Sequence, residues 1–172
     1  MDPTALNADL LRPNDCFGCG PENPEGLHIE IFRDGSRTDR LVGRYTPKHT
    51  AGGFPEIVHG GLQFTALDCM AGWVTLILRS PGKMMPLTTS ATIRYLRPAR
   101  MGSPLTLSAT VVTEAPSPRE PMRIRGEIRD GHGELLSEAD LDYVLMPEDR
   151  FRKLVGTDRL PHGYLRHFGQ AE

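Results

Sequence analysis

Apolar and polar residues alternate strictly in three segments of the second half of the chain. In residues 104–112, 122–129 and 137–145, every second position is apolar and the positions between are mostly polar or charged. A period of two places the apolar side chains on one face, which is typical of antiparallel strands with one buried face. Turn residues separate these segments, and the second turn contains an Asp-Gly pair that favours a hairpin.

The first half of the chain contributes further strands and one unusually apolar helix. Strands are predicted over roughly 28–34, 40–46 and 87–97. The segment LQFTALDCMAGWVTLIL is apolar on nearly all sides, which predicts a helix that is buried on most of its surface. Helices do not alternate with strands, so a parallel doubly wound sheet is excluded. We expect an α+β fold in which an antiparallel sheet of five to six strands wraps around one central apolar helix.

Composition divides the chain into three parts. Residues 1–27 are rich in turn residues and predict a lead-in arm, residues 28–147 hold the strands and the helix, and residues 148–172 predict a helical or irregular tail. The net charge of −2 offers no footprint for nucleic acid, and we find no apolar run long enough to span a bilayer. Neither nucleic acid nor a membrane is an expected partner. The polar N-terminus carries no export signal, which predicts a cytoplasmic protein with reduced cysteines.

The predicted helix begins with His59, Gly60 and Gly61. Glycines at a helix start leave backbone N–H groups accessible, and these groups carry the positive end of the helix dipole. Such groups can polarise a carbonyl and hold an oxyanion. The alternative is that the two glycines only allow the loop to turn tightly into the helix. His59 stands where it would orient the loop or cap the helix rather than act as a base.

Asp68 lies in the middle of the apolar helix. A carboxylate among apolar side chains is unfavourable unless it is paired or functional. If it is functional, its chemistry is that of a nucleophile or of a general base that activates water. The alternative is a buried Asp bonded to a neighbouring hydroxyl or backbone N–H, from Thr65 or from a strand.

The spacing of these two features predicts the assembly. Gly60 and Asp68 are eight residues apart on one helix, so about 12 Å separates them along the axis. An Asp side chain cannot span that distance, so the two groups of one chain cannot act on the same carbonyl. If both are catalytic, the site combines Gly60 of one subunit with Asp68 of another. We therefore expect a homodimer with two-fold symmetry, or a dimer of such dimers.

Two segments carry a family resemblance. IVHGGLQFTALDCMAGW and the following TTSATIRYLRPARMGSPLTLSATVV resemble the PaaI-like branch of the hotdog-fold acyl-CoA thioesterases, and CFGCGPENPEGLHIEIF is similar to a lead-in found in some members. The resemblance implies a hotdog fold, an acyl-CoA substrate and no cofactor beyond the coenzyme A of that substrate. It also implies that Gly60 supplies the oxyanion N–H, that Asp68 is the catalytic carboxylate and that Thr88 positions water or the carboxylate.

The same resemblance suggests where coenzyme A binds and where this chain departs from the family. The candidates for binding the pantetheine and phosphates are Ser90, Tyr95, Arg97 and Arg119. Gly53 stands where some members carry Asn, Gln63 where a small or apolar residue is common, and Glu56 where many have Gly. We expect Glu56 to narrow or charge the entrance of the site.

Cys16 and Cys19 form a C-x-x-C pair in the lead-in arm. A structural zinc site requires four ligands, and neither a second such pair nor a Cys-His pair follows. We therefore expect no metal, and we interpret the pair as reduced cysteines that pack the arm.

Two functions from different classes remain open. The first is hydrolysis of an acyl-CoA thioester, and the second is a non-catalytic hotdog module that binds acyl-CoA or an acyl carrier. Asp68 favours the enzyme, because a binding module gains nothing from a carboxylate beside an acyl carbonyl, whereas Gly53 and Glu56 favour the binding module. A hotdog dehydratase is less favoured, since it requires a His–Asp pair that the sequence does not offer.

Overall fold

One antiparallel sheet of six strands forms the body of the protein. The computed structural model describes residues 4–80, 84–115, 117, 120–156 and 160–169. The strands of this sheet are β1 (Glu30–Arg33), β2 (Arg40–Tyr45), β5 (Met84–Tyr95), β6 (Leu105–Thr113), β7 (Met122–Arg129) and β8 (Leu135–Pro147). Across the sheet they follow the order β1-β2-β6-β7-β8-β5. The predicted architecture is confirmed, and the three alternating segments are the core of β6, β7 and β8.

A single long helix lies against the inner face of the sheet. Helix α1 spans Gly60–Val74 and continues as a π-helical turn over Thr75–Arg79. Leu67, Met70 and Val74 on this helix are fully buried. Two glycines of the sheet admit the helix closely: a Cβ at Gly126 would lie 3.0 Å from Leu67, and one at Gly43 would lie 2.7 Å from the Met70 sulfur. Burial on this scale explains why the helix is apolar nearly all round.

The same helix bears on the expectation about membranes. By length and composition alone, the helical segment Gly60–Arg79 is long and apolar enough to cross a membrane. The prediction that the chain contains no apolar run long enough to span a bilayer is therefore wrong. Half of this segment is buried inside the protein, where it packs on the sheet, as the core helix of a globular domain does.

Smaller elements surround the sheet and the helix. A two-stranded hairpin of β3 (Gly52–Phe54) and β4 (Ile57–Val58) fills the region predicted as a loop before the helix. The tail forms α2 (Glu148–Val155) and α3 (His162–His167). The arm is fastened to β1 by Asn7, whose side chain donates to the carbonyls of Cys19 and Ile29 and accepts from the Ile31 N–H.

The pairing of β5 with β8 contains one β-bulge that decides which side chains of β5 face the helix. Thr88 pairs with Tyr143 and Ser90 pairs with Asp142, so Thr89 is the additional residue. An extra residue reverses the alternation of faces beyond it. Thr88 therefore shares the inner face with Tyr143, whereas Ser90 shares the outer face with Asp142.

Strand β5 is also an edge of the sheet. It pairs with β8 on one side and ends the strand order on the other. Residues 88–92 are all exposed. An exposed edge strand of this length presents unpaired backbone groups and is a template for pairing with another chain.

Candidate active site

Asp68 is held by two hydroxyl groups from different strands. Thr88 Oγ1 donates to Asp68 Oδ1 at 2.6 Å, and the Tyr143 hydroxyl lies 2.7 Å from the same oxygen and from the Asp68 carbonyl. Thr65, the other hydroxyl considered, donates to the Gly61 carbonyl instead. Within the described part of the chain, no group bonds to Asp68 Oδ2. One carboxylate oxygen is therefore fixed, and the other is available to a water molecule or an acyl carbon.

Tyr143 is a site residue that the sequence reasoning missed. The alternation in residues 137–145 predicts only that Tyr143 faces inward. In the structure its side chain is indeed buried, with 2% exposed. The signal was present, since a tyrosine on a buried face otherwise filled by aliphatic residues needs a partner for its hydroxyl. Burial, together with the negative charge of Asp68, raises the pKa of Tyr143, so the phenol stays protonated. It can therefore act on the carboxylate only as a hydrogen-bond donor.

We expect Tyr143→Phe to lower the free energy of unfolding by about 1.5–3 kcal/mol, because it removes a hydrogen bond to a charged group. Urea unfolding of the variant measures this loss. Tyr45→Phe is the matched control: Tyr45 is buried to a similar degree, and its hydroxyl has no hydrogen-bond partner among the described residues. If both variants were equally stable, the contact between Tyr143 and Asp68 would contribute nothing.

The start of helix α1 leaves one N–H group available. His59 Nδ1 accepts from the Gly61 N–H at 2.9 Å, and the His59 carbonyl accepts from Leu62 and Gln63. His59 is thus the helix cap, as expected, and Gly61 has its N–H occupied. In the described ranges, nothing accepts from the Gly60 N–H. Of the motif residues, Gly60 alone retains a free donor at the positive end of the helix.

A cleft opens beside this free donor. Its volume is about 590 Å³. The Tyr95 hydroxyl donates to the Gly60 carbonyl at 2.9 Å, and a Cβ at Gly60 would lie 3.0 Å from the Tyr95 ring, so only glycine fits without displacement. The cleft is walled by residues of the β3–β4 hairpin, the start of α1 and the end of β5: Gly53, Phe54, Ile57, Val58, His59, Gly60, Gln63, Tyr95, Leu96, Arg97 and Pro98.

The cleft is largely apolar and open. Phe54 is 74% exposed, Tyr95 51% and Leu96 45%. Large apolar side chains exposed together mark a surface that a ligand or another chain covers. Gln63 is one of the polar residues in the wall, and its Oε1 is buried and has no hydrogen-bond partner among the described residues. Gly53 packs against His59, where a Cβ would lie 3.0 Å from the His59 Cα.

The remaining candidates lie in different places. Arg97 lines the cleft and forms an ion pair with Glu134. Glu56 sits in the β3–β4 turn with a positive φ of 64°, next to the cleft but not among its lining residues. Ser90 donates to Asp142 at 2.8 Å on the outer face of the sheet, away from Asp68. Arg119 lies outside the described residues.

Within one chain, the structure does not bring Asp68 and Gly60 to one site. Asp68 contacts Thr88 near the beginning of β5, and Gly60 contacts Tyr95 at its end. Asp68 is not among the residues that line the cleft. Each chain thus carries two separate groups of residues at different points along β5 and α1. We call Asp68, Thr88 and Tyr143 the carboxylate half, and Gly60 with Tyr95 and the cleft the donor half.

Comparison with known proteins supports the family resemblance. Residues 56–116 match the family model of the thioesterase superfamily. No curated protein matches the chain in a sequence search. A crystallised thioesterase superfamily protein superimposes with a TM-score of 0.66 at 23% identity, over 75% of this chain and 62% of that chain. The chain thus spans less than two thirds of the length of that relative.

Two further solved structures extend the comparison. A Streptococcus mutans protein bound to acetyl-CoA gives a TM-score of 0.59 at 15% identity, over 69% of this chain and 89% of that one. The Escherichia coli PaaI protein from the phenylacetic acid degradation operon gives 0.59 at 20% identity, over 69% and 79%. At these identities the likeness shows the fold. The PaaI-like hotdog resemblance is confirmed.

Proposed function

Because this chain is a hotdog-fold protein that carries the thioesterase superfamily pattern, we propose that it hydrolyses an acyl-CoA thioester to a carboxylic acid and free coenzyme A. One observation carries the proposal: two hydroxyl donors fix Asp68 through Oδ1, while Oδ2 has no partner among the described residues. A carboxylate that only stabilised the fold would gain from bonding both oxygens. The arrangement instead orients one oxygen for reaction.

The reaction divides between the two halves of the site. The Gly60 N–H donates to the carbonyl oxygen of the thioester and stabilises the negative charge that develops there. The partner's Asp68 either attacks the acyl carbon or takes a proton from a water molecule that attacks it. The C–S bond then breaks, the thiolate leaves and is protonated, and the acyl group is released as the carboxylic acid. In the nucleophilic route, water hydrolyses the resulting anhydride to give the same products.

Pairing between the exposed β5 edges of two subunits would bring the carboxylate half of one to the donor half of the other. If β5 pairs antiparallel with its own copy about a two-fold axis between Ala91 and Thr92, Thr88 lies opposite Tyr95 of the partner subunit. Thr88 holds Asp68 and Tyr95 holds Gly60 within each chain. The same pairing would therefore bring each carboxylate half to a donor half, twice per dimer. It would also satisfy the backbone groups of an edge strand that is exposed over residues 88–92.

Coenzyme A fits the chemistry of the cleft. The open apolar wall suits an acyl or pantetheine chain, and Arg97 at its rim offers a positive charge to a phosphate. Arg97 is paired with Glu134, so a phosphate would have to compete for it. A structural neighbour from Streptococcus mutans was crystallised with acetyl-CoA, which supports this ligand class. No other cofactor enters the proposed reaction.

Release of free thiol from a panel of acyl-CoAs tests the proposal. The panel should include short, long and aromatic acyl groups, because an open apolar cleft does not by itself select one class. We expect saturable thiol release with at least one of them. Saturable acyl-CoA binding without thiol release from any member would contradict hydrolysis and favour the non-catalytic binding module.

A further inference from the structure

The three cysteines of the chain converge on one point. Cys16 and Cys19 come from the lead-in arm, and Cys69 comes from helix α1, at least fifty residues later. Their sulfur atoms all lie within 4.8 Å of one another, and Cys16 Sγ is 3.8 Å from Cys69 Sγ. The sequence predicts no metal because neither a second C-x-x-C pair nor a Cys-His pair follows Cys16 and Cys19. The fold supplies a third thiol.

The backbone of the arm is shaped around these sulfur atoms. Gly18 allows the close approach of Cys69, because a Cβ there would lie only 2.2 Å from the Cys69 sulfur. Gly20 closes the turn by donating to the Cys16 carbonyl at 2.8 Å. The glycines of the arm thus let the arm fold closely against Cys69 on the helix.

A hydrogen-bond donor on the helix supports the cluster. Trp73 Nε1 donates to Cys19 Sγ at 3.2 Å, and the Trp73 side chain is buried. An indole N–H is a donor only, so it favours a negatively charged sulfur. Hydrogen bonds from outside the ligand shell orient metal-binding residues in this way.

We propose that Cys16, Cys19 and Cys69 bind one zinc ion, with the fourth coordination position open to solvent or to a small ligand. Thiolates bound at about 2.3 Å in a tetrahedral shell lie about 3.8 Å apart, which is the spacing of Cys16 and Cys69. Cys16 is exposed while Cys19 is buried, so the open position faces outward. Three thiolates are soft ligands, which excludes magnesium and calcium.

Two other uses of the cluster fit the geometry less well. A disulfide brings two sulfur atoms to about 2.05 Å and would leave the third thiol unpaired. An iron–sulfur cluster is held by four cysteines, and the chain has three. A single ion uses all three sulfur atoms at once.

The proposed ion would fasten the arm to the helix one residue beyond Asp68. Asp68 faces Thr88 and Tyr143, whereas Cys69 faces the arm, so the ion would take no part in the proposed hydrolysis. Binding to the folded chain stabilises it. We expect a strong chelator to lower the Tm by several degrees and added zinc to restore it.

Metal analysis and cobalt substitution test the proposal on the untagged chain of 172 residues. We expect about one zinc per chain after purification from zinc-supplemented cells. Replacement by cobalt should give thiolate-to-metal charge-transfer bands and the ligand-field bands of a tetrahedral site. The zinc proposal would be overturned if the protein held less than about a tenth of an equivalent of zinc and gave no such cobalt spectrum, although all three thiols titrated as free. Copper in place of zinc, or a thiol count of one that indicates a disulfide, would also overturn it.

Variants separate a bound ion from an adventitious one. Cys69→Ser should abolish the cobalt spectrum, and Trp73→Phe, which keeps all three sulfur atoms, should weaken zinc affinity about tenfold. If Cys69→Ser does not fold, the Trp73→Phe variant and the wild-type cobalt titration still decide the question. Zinc affinity unchanged in every folded variant would place the ion elsewhere.

Discussion

Replacing Asp68 with Asn is expected to lower kcat for acyl-CoA hydrolysis by roughly 10³-fold, within the range that general-base catalysis supplies. Asn keeps the size of the side chain, and its carbonyl oxygen can still accept from Thr88 and Tyr143. It can neither take a proton nor form an anhydride. KM should change little, because the substrate contacts the donor half of the site through groups that the substitution leaves in place.

A matched variant separates the chemistry of Asp68 from a general effect of losing a carboxylate. Asp140 lies on β8 on the outer face of the sheet, where it pairs with Arg125 at 2.6 Å. Asp140→Asn should retain the kcat of the wild type. Thiol release by all three proteins, with folding verified by circular dichroism, provides the comparison. Wild-type turnover in folded Asp68→Asn would show that Asp68 does not perform the reaction.

Replacing Gly60 with Pro is expected to lower kcat by about 10²-fold or more, the effect of removing one oxyanion donor. Proline is well tolerated at the first position of a helix, where it removes the N–H and adds the atoms of its ring. The preceding residue must be extended, and His59 already is, with φ −57° and ψ 134°. The substitution thus removes the proposed donor and leaves the helix start intact.

Gly60→Ala is the control for the added side-chain atoms. It introduces a Cβ against the Tyr95 ring, as proline does, but keeps the N–H. Steady-state kinetics of both variants should show a much larger loss of kcat for Gly60→Pro than for Gly60→Ala. Equal losses would assign the effect to crowding against Tyr95 and would leave the N–H without a role.

The architecture could be predicted from the sequence because each strand has a local signature, the alternation of apolar and polar residues. Alternation in 104–112, 122–129 and 137–145 depends only on which face is buried, and that pattern survives in β6, β7 and β8. The predicted sheet has one buried face, so the apolar segment after the glycine pair was expected to form the core helix that covers this face. The helix cap by His59 was also foreseeable, since it depends on neighbours within two residues.

What could not be foreseen depends on contacts between distant segments. The bulge between Thr88 and Ser90 turns one residue toward Asp68 and the other away, and nothing in the local sequence specifies an inserted residue. Tyr143 meets Asp68 across a separation of 75 residues. Cys69 contacts Cys16 across a separation of 53 residues. Such pairs follow from strand register and from the course of the arm, neither of which has a periodic signature.

Mixing two inactive variants tests the central claim, the site shared between subunits, most directly. Asp68→Asn and Gly60→Pro proteins are unfolded together, refolded as an equal mixture and assayed for thiol release. A mixed dimer would hold one site with both Gly60 and Asp68 intact and one site with neither. Since half of the dimers would be mixed, we predict recovery of about a quarter of the activity of wild-type protein refolded in the same way. A mixture no more active than the average of the two separate variants would contradict a shared site.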